Sequence, residues 1–199
     1  MKYSLLLSLG ASSALFLSAC EKQAYDNTAA FDKLTLPAAT TSGAGFLACN
    51  INGHVWTPFG KYEQQGVLGS ILTDNSLIVY SSPRVAGRTL AAASGQMSRV
   101  RQGKPTHESM LHLDLLAVDT LGTKRYLNPT LQEGLIYQEF TNAGHTYRNL
   151  AKNPIHVVVS RFDADQKIIS GTFEGYLFSD YPNDSIHVTE GRFDFKLPF

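Results

Sequence analysis

The sequence has no excess of charge of either sign, because 17 lysine and arginine residues balance 17 aspartate and glutamate residues. It has neither the basic stripe that is typical of nucleic-acid binding nor the acidic tail of a solvating segment. A Gly-x-Ser-x-Gly nucleophile turn and a phosphate-binding glycine loop are also absent, so the common signatures of hydrolases and nucleotide-binding proteins are missing. We therefore expect no nucleic-acid partner, and catalysis is the less favoured function.

Only two cysteines occur, and the first follows a secretion signal. After a short basic lead, the apolar run 5–16 is shorter than the about 20 residues of a membrane-spanning helix and fits the central region of a secretory signal. Small residues then lead directly to Cys20. The motif Leu17-Ser18-Ala19-Cys20 resembles a bacterial lipobox, which implies a signal peptide over 1–19, lipidation of Cys20 and anchoring of the chain to a membrane. An ordinary signal peptide with an incidental cysteine is the alternative.

The second cysteine, Cys49, lies in the apolar stretch GFLACNINGHVW. Lipidation of Cys20 leaves it without a disulfide partner in the chain. A nucleophilic thiol needs a nearby base and an electropositive setting, and the sequence places only His54 close by. We therefore expect Cys49 to be a small buried apolar residue rather than a nucleophile.

The remainder of the chain divides into a tether and one domain. Polar and small residues without a clear period occupy 20–45, which predicts a flexible tether that begins at the lipidated Cys20. The stretch 46–199 is long enough for a single domain with a substantial core. Short alternating runs separated by turn residues predict an all-β fold for it, an antiparallel β-sandwich in the first place and a β-barrel as the alternative.

Three runs illustrate the local predictions. In HESMLHLDLLAV, the alternation puts Leu111, Leu113 and Leu115 on one strand face. The run GSILTDNSLIVYSS is typical of two strands joined by a tight hairpin at Asp74-Asn75, residues that tolerate positive φ. The run RTLAAASGQMSRV is ambiguous and is compatible with a helical turn.

The C-terminal strand contains a change of phase. Its apolar residues occupy even positions up to Val188 and odd positions from Phe193 onward. A strand with one buried face needs an extra residue to change phase, and glycine favours such a bulge. We therefore predict a β-bulge at Glu190-Gly191. The charged residues beyond it are expected on the outer face: Arg192, Asp194 and Lys196.

The histidines and turn aspartates form no recognisable metal motif. His107 and His112 in HESMLH resemble a zinc-protease pair, but that pair needs a four-residue spacing on a helix, and on a strand their odd spacing sends them to opposite faces. His112 and Asp114 share a face, where a solvated polar surface is the simpler interpretation. Asp163 and Asp165 lie in a turn that lacks the further ligands of a calcium loop. No metal, no cofactor and no catalytic residue is predicted.

Three motifs occur together: the lipobox, the stretch LPAATTSGAGFLACNINGHVWTP, and the closing runs ISGTFEGYLF and VTEGRFDFK. In these motifs the chain resembles a family of Bacteroidota envelope lipoproteins that carries a domain of unknown function. The resemblance implies a mostly β lipoprotein of the cell envelope, placed in the outer membrane, and it supplies no catalytic residues. The matching residues are interpreted as turn, core and bulge positions: Asn52-Gly53, Trp56, Gly171-Thr172-Phe173 and Gly191-Arg192-Phe193-Asp194.

The same resemblance points to a surface modification. Bacteroidota envelope proteins carry O-glycans on Asp-Ser/Thr followed by a small or aliphatic residue. Asp119-Thr120-Leu121 and Asp184-Ser185-Ile186 match this pattern. Thr120 and Ser185 are therefore candidate O-glycosylation sites, both in predicted turns.

Two functions from different classes remain open. The favoured one is a non-catalytic envelope module that binds a glycan, a peptide or an envelope-protein partner, supported by the β scaffold, 11 phenylalanines and nine tyrosines. The alternative is a hydrolase acting on envelope or extracellular polymers, supported by location and by the supply of carboxylates and histidines. Perturbed carboxylates in a cleft would favour the hydrolase, and exposed aromatic side chains would favour binding.

Overall fold

The computed structural model describes residues 24–66, 69–83, 89–116, 121–129, 133–141 and 144–198. It is nearly all-β, with 61% strand and 3% helix, which confirms the predicted fold class. Within these ranges a short helix, α1 (Thr28–Phe31), precedes the first strand. The strands are β1 (Phe46–Ile51), β2 (His54–Trp56), β3 (Lys61–Gly66), β4 (Gly69–Asp74), β5 (Ile78–Pro83), β6 (Thr89–Arg101), β7 (Lys104–Leu116), β8 (Lys124–Tyr126), β9 (Gly134–Glu139), β10 (His145–Arg148), β11 (His156–Asp163), β12 (Ile168–Ser179) and β13 (Ser185–Lys196).

In the described part of the chain, 11 of these strands form one antiparallel sheet in the order β2-β1-β13-β12-β10-β9-β7-β6-β5, with β11 beside β12 and β8 beside β11. The sheet curls into a half-barrel, because the twist between neighbouring strands accumulates across it. β3 and β4 form a separate two-stranded sheet. Just beyond β2, Phe59 forms a parallel bridge with Met97 of β6, so the chain leaving one edge of the sheet meets a strand near the other edge.

The core lies on the inner face of the curled sheet. Leu111, Leu113 and Leu115 of β7 are fully buried, whereas the side chains of His112 and Asp114 between them face outward and are partly exposed. The predicted alternation in this strand is therefore confirmed. The opposite faces of β7 also separate His112 from His107.

Trp56 is a core residue, as the sequence predicted. It is 1% exposed, and its indole N–H donates a hydrogen bond of 3.0 Å to the Ser109 hydroxyl oxygen. Asn52 and Gly53, at φ values of 50° and 82°, form the turn between β1 and β2. Both positions of the opening motif therefore have structural roles.

The predicted bulge in β13 is present. The pairing of β12 with β13 shifts from Phe173–Gly191 to Gly175–Val188, so two residues of β13 lie opposite one residue of β12. The extra residue changes the phase of the strand, as a result of which Val188 and Phe193 are both fully buried.

The role of Gly191 in this bulge differs from that of a glycine with positive φ. The positive φ, 51°, belongs to Glu190. Glycine is required at 191 because a Cβ atom there would overlap the carbonyl oxygen and the ring of Phe173.

Asp194 lies on the outer face, as its phase in β13 predicted, but it is not exposed there, because residues 40–44 cover its side chain and leave it fully buried. Its carboxylate accepts five hydrogen bonds from described residues. The donors are the hydroxyls of Thr40 and Ser170, at 2.5 and 2.6 Å, and the backbone N–H groups of Ser42, Gly43 and Ala44, at 3.0, 2.8 and 3.1 Å. Such a set of donors lets an ionised carboxylate stay inside the fold.

Residues 24–45 of the predicted tether pack against the domain, so the expectation of flexibility does not hold for them. Asn27 is 6% exposed, its Nδ2 donates to the carbonyl oxygen of Ser98 at 2.8 Å, and its Oδ1 accepts from the N–H of Val100 at 2.7 Å. These contacts connect a side chain with distant backbone, so they leave no periodic pattern in the sequence. Residues 20–23 lie outside the described ranges.

Two further local predictions are corrected. β4 and β5 exist, but β4 pairs with β3 and β5 with β6, so they do not form a hairpin at Asp74-Asn75. Asn75 is instead held by the distant chain, since its Nδ2 donates to the carbonyl oxygen of Phe59 and to the Ser98 hydroxyl. The run RTLAAASGQMSRV belongs to β6 from Thr89 onward and is extended there, whereas Arg88 lies outside the described residues.

Candidate functional site

The most developed surface concavity in the described residues lies on the outer face of four neighbouring strands, β8, β11, β12 and β13. The register places Tyr126 opposite His156 and His156 opposite Glu174. Two residues further along β12, Tyr176 lies opposite His187 of β13. Side chains of directly opposed residues project on the same face, so these five residues share one surface.

Two tyrosine rings are exposed on this surface, and each is oriented by a histidine. Tyr126 is 58% exposed and packs edge to face with His156, with ring centroids 4.5 Å apart. Tyr176 is 50% exposed and lies nearly parallel to His187, at 4.3 Å and an interplanar angle of 6°. The tyrosines therefore present ring surface to solvent in defined orientations, with a hydroxyl group on each.

An ion pair lies beside the two tyrosines, with one partner on the strand of Tyr126 and the other on the strand of Tyr176. Lys124 Nζ donates to Glu174 Oε1 at 2.9 Å, and this contact with Lys124 lowers the pKa of Glu174 below its ordinary value. Because both side chains are at least half exposed, the pair adds little to the stability of the fold. It does supply an ammonium donor and a carboxylate acceptor side by side.

Two adjoining concavities lie over these residues. One part has a volume of about 660 Å³ and is lined by residues that include Lys152, Tyr126 and Tyr176. A second part, of about 350 Å³, extends towards Arg192. Three residues belong to the lining of both parts: Lys124, His156 and Glu174. We call the two parts together the outer groove.

Two glycines in the lining of the outer groove pack against buried side chains. Gly175 has φ 147° and faces Ile155, whose Cδ1 atom would lie 2.9 Å from a Cβ at that position. Gly191 is the bulge residue that packs against Phe173. The bulge predicted from the phase of β13 therefore lies within the groove, with Glu190 in its lining.

A second polar cluster lies on the outer face of β5 and β7. The Tyr80 hydroxyl is 3.0 Å from His112 Nδ1, and His112 Nε2 is 2.9 Å from Asp114 Oδ2. Partial burial, together with the negative charge of Asp114, raises the pKa of Tyr80. The phenol therefore stays protonated at neutral pH, which makes it a poor nucleophile.

The residues predicted from single motifs are dispersed over the molecule. Cys49 is fully buried, and desolvation raises the pKa of its thiol, which confirms its assignment as a small buried residue. Ser185 is exposed at the start of β13. The predicted lipidation site Cys20 and the candidate glycosylation site Thr120 lie outside the described residues.

The histidines and turn aspartates considered as metal ligands are engaged in other contacts or face apart. His107 lies on the inner side of β7, with Nε2 3.1 Å from the Ser109 hydroxyl. Its side chain points to the opposite face from that of His112. Asp163 pairs with Arg161 at 2.7 Å and accepts the N–H of Gln166. In the described ranges, no cluster of three or more histidine, cysteine or carboxylate side chains is arranged to hold a metal ion.

Comparison with known proteins adds no relative to these observations. No protein-family model matches the chain, and neither the curated proteins nor the solved structures contain a match. Among the described residues, no helix is both long and apolar enough to cross a membrane.

Sequence reasoning did not identify the residues of the outer groove. Tyr126, Glu174 and Tyr176 each occur in an ordinary alternating strand, and their neighbours in the groove lie on other strands. Two sequence signals fall in the groove: the phase change around Glu190-Gly191, and the closing-motif residues Thr172, Phe173 and Arg192. Both were interpreted as structural features, and neither indicates a binding site.

Proposed function

We propose that this protein is an envelope lipoprotein, anchored to the outer membrane through a lipid on Cys20, whose outer groove binds an oligosaccharide without catalysis. The observation that carries the binding proposal is the pair of exposed, histidine-oriented tyrosines beside an ion pair on the same face of the sheet. The anchor is supported by the lipobox alone.

An oligosaccharide fits the chemistry of the outer groove. A sugar ring has an apolar face that packs on an exposed tyrosine, and its hydroxyl groups need both donors and acceptors. Lys124 offers donors, Glu174 offers acceptors, and the tyrosine hydroxyls offer both. Rigid tyrosine rings give large amphipathic contact areas at a small cost in conformational entropy.

The spacing of the tyrosines favours a ligand of more than one sugar unit. Tyr126 lies on β8 and Tyr176 on β12, with β11 between them. Two inter-strand spacings correspond to about 10 Å, which exceeds the width of one sugar ring. The open form of the groove along the sheet face also suits an extended chain.

A hydrolase acting on the same class of polymer is the second candidate, because two carboxylates, Glu174 and Glu190, line the groove. Glu190 accepts a hydrogen bond from the side-chain amide of Asn50, and Glu174 is the carboxylate beside the tyrosines. Glycoside hydrolysis requires one carboxyl group that is protonated at working pH and donates its proton to the leaving group. The contact with Lys124 lowers the pKa of Glu174, which is the direction that disfavours a general acid. The groove therefore supports binding better than hydrolysis.

Binding of glycans to the mature chain tests this proposal. After a glycan array has identified a ligand, calorimetry would measure the dissociation constants of Tyr126→Ala and Tyr176→Ala. We expect each substitution to weaken binding about 10-fold, since a stacked aromatic ring contributes on the order of 1 kcal/mol. Tyr181→Ala is the matched control, because Tyr181 is also 58% exposed but lies outside the groove.

Equal affinities for all three variants would contradict the assignment of the groove. The hydrolase candidate is tested separately with Glu174→Gln. Release of reducing ends by the unmodified chain, abolished in this variant while the fold is retained, would replace the binding proposal with the hydrolase.

A further inference from the structure

The N-terminal segment is attached to the turn between β6 and β7. The backbone N–H of Gly103 donates to the carbonyl oxygen of Tyr25 at 2.8 Å, and the N–H of Gln102 donates to Asp26 Oδ2 at 3.1 Å. Asn27 then pairs with Val100 through both its backbone N–H and its side chain. We call residues 99–106 the β6–β7 tip. The chain is thus held at this tip from residue 25 onward.

We propose that the β6–β7 tip faces the membrane and contacts anionic lipid headgroups, an inference that rests on the proposed lipid anchor at Cys20. Five peptide units separate Cys20 from Tyr25, and five extended residues span at most about 18 Å. A lipid on Cys20 therefore keeps the tip close to the bilayer surface. The longer tether expected from the sequence would have let the domain move freely in orientation.

The charge of this end of the molecule fits the proposal. Residues 25–33 and 99–106 contain four cations and two carboxylates, which gives a net charge of +2. Asp32 is paired with Arg99 at 2.8 Å, and Asp26 is held by the N–H groups of Thr28 and Gln102. Arg101 and Lys104 remain exposed at the tip. Exposed cations next to a membrane anchor are attracted to anionic headgroups.

The opposite end of the sheet supplies a control position. β7 runs away from the tip, and each of the pairs β7–β9, β9–β10 and β10–β12 is antiparallel. β9 and β12 therefore run towards the tip, and β12 begins at the opposite end of the sheet. The turn between β11 and β12, which contains Asp165, therefore lies at the end remote from the tip. The outer groove lies between the two ends, on the flank of the sheet, and stays accessible in this orientation.

Quenching by brominated lipids measures the orientation directly. The full lipidated chain would carry a bimane label at Gln102→Cys or at Asp165→Cys, in vesicles of phosphatidylethanolamine and phosphatidylglycerol. Cys49 is buried and its thiol pKa is raised, so it is not labelled in the folded protein. We expect quenching at position 102 and none at position 165. Insertion of a long Gly-Ser segment after Lys22 should abolish the quenching at 102 while the protein stays bound.

The double variant Arg101→Glu and Lys104→Glu measures how much the exposed cations contribute to membrane contact. It should lower the quenching at position 102. Equal quenching at both positions, quenching at 165 only, or no effect of the inserted segment would overturn the inference. Flotation with the vesicles reports the anchor independently. If the chain does not float, the anchor proposal fails, and coupling Cys20 to a maleimide lipid still tests whether the contacts of residues 25–27 with the tip orient it towards the membrane.

Discussion

Replacing the buried carboxylate of Asp194 is expected to destabilise the protein strongly at neutral pH and very little at low pH. Burial alone would raise the pKa of Asp194, but the hydroxyls of Ser170 and Thr40 and the N–H groups of Ala44 and Gly43 lower it to about 2. The ordinary value is 3.8. A difference of this size corresponds to about 2 kcal/mol of folding free energy when the group is ionised.

The substitution Asp194→Asn keeps the shape of the side chain and removes its charge. Oδ1 faces the N–H of Gly43, and Oδ2 faces the N–H groups of Ser42 and Ala44. Whichever oxygen becomes the amide nitrogen, at least one buried backbone N–H is left opposite another donor. An unsatisfied buried group costs about 1–3 kcal/mol. We therefore expect Asp194→Asn to lower the free energy of unfolding by about 2–4 kcal/mol at pH 7.

The pH dependence has a defined sign. Because the pKa is lower in the folded state, the stabilisation is complete above about pH 5, declines as the pH falls through the ordinary value of 3.8, and is largely lost by about pH 2. Protonation of Asp194 places a donor among the same donors as the asparagine amide does. The stability difference between the unmodified chain and Asp194→Asn should therefore shrink to less than about 1 kcal/mol at pH 2.

Urea unfolding followed by the fluorescence of the buried Trp56 would measure both quantities. Asp165→Asn, an exposed turn substitution, is the control and should change the unfolding free energy by less than about 0.5 kcal/mol. Amide hydrogen exchange at Ser42, Gly43 and Ala44 should accelerate in Asp194→Asn. An unchanged urea midpoint at pH 7, or a difference of the same size at pH 2, would refute the reasoning.

Two further predictions concern the bulge and the anchor. Gly191→Ala should lower the free energy of unfolding, measured with urea, by on the order of 2 kcal/mol, because the alanine Cβ would displace Phe173. Glu190→Gly is the control and should be tolerated, since Glu190 holds the positive φ. An unchanged unfolding free energy in Gly191→Ala would contradict the close-packing argument. Cys20→Ala should release the protein from the membrane fraction or leave the signal uncut, and a fully processed variant that still fractionates with membranes would contradict the lipid anchor.

The alternation and the phase of the β-strands could be read from the sequence. The pattern of HESMLHLDLLAV predicted which face of β7 is buried, and the phase change between Val188 and Phe193 predicted the bulge. Trp56 and Cys49 were also recognised as core residues. These predictions succeed because strand alternation is local, and an apolar residue in phase with its neighbours shares their environment.

The partners of each strand were decided only by the tertiary structure. Asp194 looks like one more charged residue on an outer face, yet its three backbone donors come from residues about 150 positions earlier in the chain. Tyr126, Glu174 and Tyr176 form a groove only because β8, β11, β12 and β13 are neighbours in the sheet. Non-local pairing depends on how the whole sheet curls and closes over its core. A sequence pattern therefore shows which side of a strand is polar, and the fold decides which polar side chains meet there.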